Sequence, residues 1–132
     1  RQAIDQSRGR AKLVYKHFPL SGHVRAKAAS IASVAAMEQG KFWEMHDIIF
    51  EHQTQLEDAD IRRYAQKIGL DMTKFDAAYQ AKKGQDLVEE DRNEGEKLNI
   101  SGTPAVFVNG RYMNPYMFGG TVTGWIEDAL RR

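Results

Sequence analysis

The sequence contains no cysteine. Within these 132 residues there can be no disulfide, no cysteine-bound zinc and no thiolate nucleophile. Charge of either sign is not in surplus: 19 basic side chains face 18 acidic ones, and no basic stripe gives an electrostatic case for a nucleic-acid partner. No apolar run approaches the ~20 residues of a membrane-spanning helix. No leader-like segment stands at the start, and a chain that opens on Arg1-Gln2 rather than Met is expected to be processed or cut. The four histidines, His17, His23, His46 and His52, show no metal-ligand spacing. No metal, cofactor or catalytic side chain is therefore assigned. At this length one domain can bury roughly two-thirds of its unfolded surface without cross-links.

What is present is organised around Ile100-Ser101-Gly102-Thr103-Pro104-Ala105-Val106-Phe107-Val108-Asn109-Gly110-Arg111-Tyr112. Ala105 and Phe107 would point to one face of a strand, Val106 and Val108 to the other. A strand apolar on both faces is expected inside a sheet covered by helices. Asn109-Gly110 suits the two central positions of a type I′ hairpin turn. Pro104 lacks an N–H and belongs at the first position of a strand or on its edge. Gly102 can take backbone angles closed to other residues.

In chain order, residues 1–9 read as the end of a helix, and residues 12–18 as a strand stopped by Pro19. A helix over residues 24–39, with Ala26, Ala29, Ser33 and Ala36, suggests close packing. The next, over 41–52, places Phe42, Trp43, His46, Ile49 and Phe50 on one stripe, which makes His46 a core histidine bonded to backbone. Ile61, Tyr64, Ala65 and Ile68 mark a third helix over 60–68. Asp71 caps a short fourth helix with Phe75 and Tyr79 inward. A fifth runs over 85–98, with Leu87, Val88, Gly95 and Leu98 on one side and Asp91 among them; its acidic face reads as solvated surface. Asn99 suits the left-handed position that follows. Thr121 or Thr123 can cap a final helix carrying Val122, Trp125, Ile126, Ala129 and Leu130.

The order helix end, strand, helical block, hairpin, helix resembles the thioredoxin fold of the DsbA-like thiol:disulfide oxidoreductases. Three separated stretches carry the resemblance: Tyr15-Lys16-His17-Phe18-Pro19-Leu20, Gln39-Gly40-Lys41-Phe42-Trp43-Glu44-Met45-His46-Asp47, and the stretch from Gly102 to Gly110. The resemblance implies an α/β thioredoxin-like domain over 1–132, with a helical insertion over 24–98 between the second strand and the hairpin. It implies a bacterial protein of the periplasm or cell envelope and a cis Thr103–Pro104 bond. It also exposes a departure. The family's Cys-x-x-Cys opens its first helix, where a helix N-terminus stabilises thiolate. That strand and helix start would precede Arg1, so this chain alone should not exchange thiols.

The resemblance places the end of strand 12–18 and the start of strand 105–109 on one sheet edge. Thr103 and Pro104 are the expected substrate contacts, with Gly102 permitting the bend and His17 and Phe18 as weaker candidates that a strand end packing on the helical block would also explain. The expected partner is an extended peptide or a protein dithiol or disulfide, recognised by strand addition. The absent central strand would leave a gap of roughly 9.6 Å. It is expected to be filled by residues outside this sequence, by a strand exchanged within a homo-oligomer, or by collapse of 12–18 onto 105–109. Two other functions fit the same residues: a redox-inactive peptide-binding domain, and a glutathione-using relative of the kappa-class transferases and isomerases.

Overall fold

A computed structural model describes residues 1–132. Seven α-helices and one antiparallel hairpin form in it, mostly helical with a small sheet, consistent with a thioredoxin-like α/β fold in its coarse outline. No helix is long and apolar enough to cross a membrane. The chain divides into two units, residues 16–99 and residues 1–15 with 100–132.

The unit of residues 16–99 is helical. α2 (Ala26–Met37) buries an unbroken run from Ile31 to Ala36, because alanine and Ser33 leave room for neighbours on several sides. It packs against α3 (Phe42–Glu51), α4 (Asp58–Lys67), α5 (Met72–Gln80) and α6 (Gln85–Lys97). Asp71 caps α5 by accepting the Lys74 N–H at 3.1 Å. Glu57 and Asp60 form a capping box on α4. One core joins Ala32, Ala35, Met45, Ile48, Ile49, Ile61, Tyr64, Ala65 and Phe75; a smaller one joins Ile31, Val34 and Val88, where α2 meets α6. There the backbone of Gly84 comes so close that an added Cβ would lie 2.6 Å from the Val34 Cβ.

Two readings in this unit are corrected. α3 buries Met45, Ile48 and Ile49, while Phe50 is 51% exposed, so the inward stripe is turned from the one the aromatics suggested. Large flat rings can cover a rim where compact side chains fill the interior. Leu98 is also exposed, since α6 ends at Lys97 and its last turn has passed the packed region.

The other unit contains α1 (Gln2–Gln6), β1 (Phe107–Val108), β2 (Arg111–Tyr112) and α7 (Val122–Arg131). Asn109 and Gly110 both hold positive φ, 48° and 81°, as the two-residue turn requires. Phe107 stands opposite Tyr112 and Val108 opposite Arg111. Thr121 caps α7, accepting the Gly124 N–H at 3.0 Å. Trp125 and Ile126 are the buried residues of that helix. The Arg111 guanidinium lies 4.9 Å from the Trp125 ring and 5.4 Å from that of Phe118, and pairs with Asp128 at 3.2 Å.

The expected doubly covered strand over 105–108 is not what forms. Pairing is limited to two residues on each side, and the Phe107 and Tyr112 rings lie on an exposed face. Residues 12–18 are not a strand either. They join no sheet: the sheet consists of β1 and β2 alone, which excludes the collapsed pairing of 12–18 on 105–109. Apolar composition favours a strand only where another backbone supplies donors and acceptors. Residues 12–16 are instead exposed, so water can serve their peptide groups.

Candidate functional site

Residues 101–104 run exposed ahead of the hairpin. The Thr103–Pro104 bond is cis. The first bond closing the segment onto the hairpin is from the Met113 N–H to the Val106 carbonyl, 2.8 Å. The N–H and C=O of Thr103 make no backbone hydrogen bond. An exposed, unpaired donor and acceptor on one residue is what an extended peptide needs in order to add as a strand. The role expected of Gly102 is corrected. Its φ lies outside the left-handed region, and a Cβ there would meet nothing within 4 Å, so no bend closed to other residues is made at it.

His17 and Phe18 belong to the helical unit. The backbone N–H of His17 donates to Asp91 Oδ2 at 3.0 Å, and Lys16 Nζ lies 3.8 Å from Asp91 Oδ1 and 3.3 Å from Glu94 Oε2. Burial pushes the His17 imidazole below the usual histidine range; Asp91 pulls it back, and His46 adds to the lowering. At 5% exposure, with its ring 6.0 Å from Phe42 in an edge-on contact, His17 is held as an interior residue and offers a peptide no surface. Phe18 is half-buried, with the Arg92 guanidinium 5.8 Å from its ring centre. His17 is therefore corrected from a substrate contact to a packing position, while Phe18 stays partly exposed beside Arg92.

The histidines of α3 and its C-terminal end are His46 and His52. His46 is half-buried, with Nδ1 3.0 Å from Asp47 Oδ1 and its ring stacked on Phe50 at 4.4 Å. His52 is bonded to backbone, its Nδ1 lying 2.9 Å from the Ile48 carbonyl. No group of three or more His, Asp or Glu side chains is placed to hold a metal ion.

One polar network escaped the sequence reading. Arg25 donates to the Leu56 carbonyl at 2.7 Å and to Asp58 at 2.6 Å, and the Tyr79 hydroxyl donates to the same carboxylate at 2.6 Å. Burial first, and then the bond to Asp58, push the Tyr79 phenol up to about 12. A phenol so reluctant to ionise is a fixed donor rather than an acid or nucleophile near neutral pH. The network ties the starts of α2 and α4 to α5. Its members are tens of residues apart and share no local pattern; in contrast, Asp91 was visible as a carboxylate on the apolar side of a helix.

Residues 1–130 match the family described as DSBA-like thioredoxin domain. The chain is 40% identical over 107 residues to the protein named Na(+)/H(+) antiporter NhaA 3 of Salinispora tropica, covering 80% of this chain and 16% of that protein. It is 40% identical over 101 residues to Na(+)/H(+) antiporter NhaA 1 of Salinispora arenicola, with 76% and 16% covered. For Na(+)/H(+) antiporter NhaA 1 of Mycolicibacterium vanbaalenii the identity is 42% over 107 residues, covering 78% and 17%. The chain thus spans about one-sixth of the length of these curated relatives. No solved structure gives a significant match.

Proposed function

This chain belongs to the DSBA-like thioredoxin domain family, and on that premise we propose that it forms the peptide-receiving part of a thiol:disulfide oxidoreductase acting on protein dithiols. The exposed, unpaired backbone of Thr103 carries this reading. An extended substrate lies against it: the Thr103 N–H donates to a substrate carbonyl, and its C=O accepts a substrate N–H. Pro104 presents only ring surface beside that pair, because it has no N–H to compete. A side chain at position 102, where space is open, would stand in the way of the incoming strand. Residues 1–132 hold no cysteine, so on this reading the redox-active pair is supplied from elsewhere and this chain alone exchanges no thiols.

Thr103→Ala keeps the backbone donor and Thr103→Pro deletes it. With a fluorescein-labelled, blocked peptide of alternating valine and threonine, anisotropy is expected to show the alanine variant binding as the unchanged sequence does. The proline variant should bind about tenfold more weakly. Equal binding by both variants would remove the Thr103 N–H from the mechanism.

A second reading draws on the relatives: the domain is one segment of a longer polypeptide whose remainder is a sodium/proton antiporter, as those proteins are named. An immunoblot of native cells with serum raised against this chain should then give a membrane-fraction band several times larger than 15.0 kDa. A soluble band at 15.0 kDa would overturn it.

A further inference from the structure

A cleft of about 380 Å³ opens within the helical unit, between the loop that precedes α2 and the outer side of α6. Leu20 and Val24 form one wall, and Val88, 1% exposed, reaches it from α6. His23, Lys27 and Arg92 stand around the opening. Glu89, the acidic residue among them, is already engaged by Lys27 and Gln85, each at 3.0 Å.

Arg92 is the unspent group. Its Nε is buried without a hydrogen-bond partner and out of a ligand's reach, but the side chain as a whole is 37% exposed, so contact with a ligand falls to its Nη groups. Its nearest carboxylate, Glu96, lies one helical turn on at 3.5 Å, the outer limit of a hydrogen bond, and is itself half exposed. Such a pair on a helix surface contributes little. The guanidinium rests over Phe18, which limits its freedom before any ligand arrives. A guanidinium carries a fork of donors shaped for a carboxylate, and a preplaced fork loses less entropy on binding. Beside it, Leu20 and Val24 offer aliphatic surface suited to an aliphatic side chain, Val24 being 90% exposed.

We propose that this cleft binds a peptide segment in which an acidic residue adjoins aliphatic ones, the carboxylate pairing with Arg92 and an aliphatic side chain covering Val24. Charge complementarity selects this occupant, since Lys27 already neutralises Glu89, and Arg92 is opposed only by the long, half-exposed contact with Glu96. The site lies wholly within residues 16–99 and does not use the Thr103 backbone, so its test is separate from the one above.

The test is an amide-resolved NMR titration of the 132-residue chain with acetyl-Val-Asp-Leu-amide and with its Asn counterpart. The aspartate peptide is expected to give saturable shifts in residues 19–27 and 88–93. Replacing its aspartate by asparagine, or Arg92→Gln in the chain, should weaken binding at least about tenfold. Val24→Glu changes a side chain that the fold leaves in solvent, and it should weaken binding similarly by placing a like charge at the rim. The absence of saturable shifts, shifts that map elsewhere, or equal affinity for the two peptides would overturn the proposal. Should Arg92→Gln disturb the spectrum of the free chain, Val24→Glu decides the matter, and unchanged binding by that variant would likewise overturn it.

Discussion

Replacing Phe75 with alanine is expected to cost the helical unit about 3–5 kcal/mol, enough to leave residues 16–99 largely unfolded in mild urea. Phe75 is fully buried in the main core and lies parallel to the Tyr79 ring at 5.5 Å. Truncation removes the transfer energy of the ring and leaves a void that the surrounding helices can only partly close. It also takes away one side of the packing that places the Tyr79 hydroxyl on Asp58, so the Arg25 network should loosen with it. Equilibrium urea unfolding followed by far-ultraviolet circular dichroism measures the effect. A loss under about 1 kcal/mol would mean that the site collapses readily and that Phe75 is not central to the core.

The second large effect is expected from Gly124→Ala. In the interior of an exposed helix this change normally stabilises by about 1 kcal/mol. Here the sign should reverse, because the added Cβ would stand 2.0 Å from the Phe118 carbonyl oxygen and 3.1 Å from the Thr121 hydroxyl. The first obstacle is backbone, which cannot rotate aside as a side chain can. Thr121 also caps the helix through the Gly124 N–H, so displacing one disturbs the other. A net loss of roughly 2–3 kcal/mol follows from overpacking of this kind. Amide hydrogen exchange should show α7 losing protection while the helices of residues 16–99 keep theirs. Unchanged protection along α7 would show that Phe118 shifts at little cost.

Local chemistry was legible in the sequence, and through-space chemistry was not. Asp71, Thr121 and Asn109-Gly110 each act within a few residues, and each does in the structure what its neighbours implied. The buried face of α4 was likewise readable, since Ile61, Tyr64 and Ala65 recur at helical spacing. On α3 the same reasoning failed because periodicity finds a stripe but cannot say which edge of it is innermost: Phe50 stayed out and Ile48 went in. Residues 12–18 have the composition of a strand but join no sheet, and joining one is a property of the fold. At the candidate site, Thr103-Pro104 was visible as a motif. The burial of His17, the open space at Gly102 and the buried, unpartnered Nε of Arg92 depend on what lies across from them, which no spacing along the chain encodes.

The division of the chain has a spectroscopic consequence. Its two tryptophans fall one to each unit, Trp43 on α3 and Trp125 on α7. Trp125 sits edge-on to Phe118 and beneath a guanidinium, whereas Trp43 lies edge-on to Phe42 and His46. Each indole therefore samples its own surroundings. With one of them replaced by phenylalanine, the fluorescence of the other reports a single unit, and a perturbation confined to one half of the chain separates by emission alone from one confined to the other.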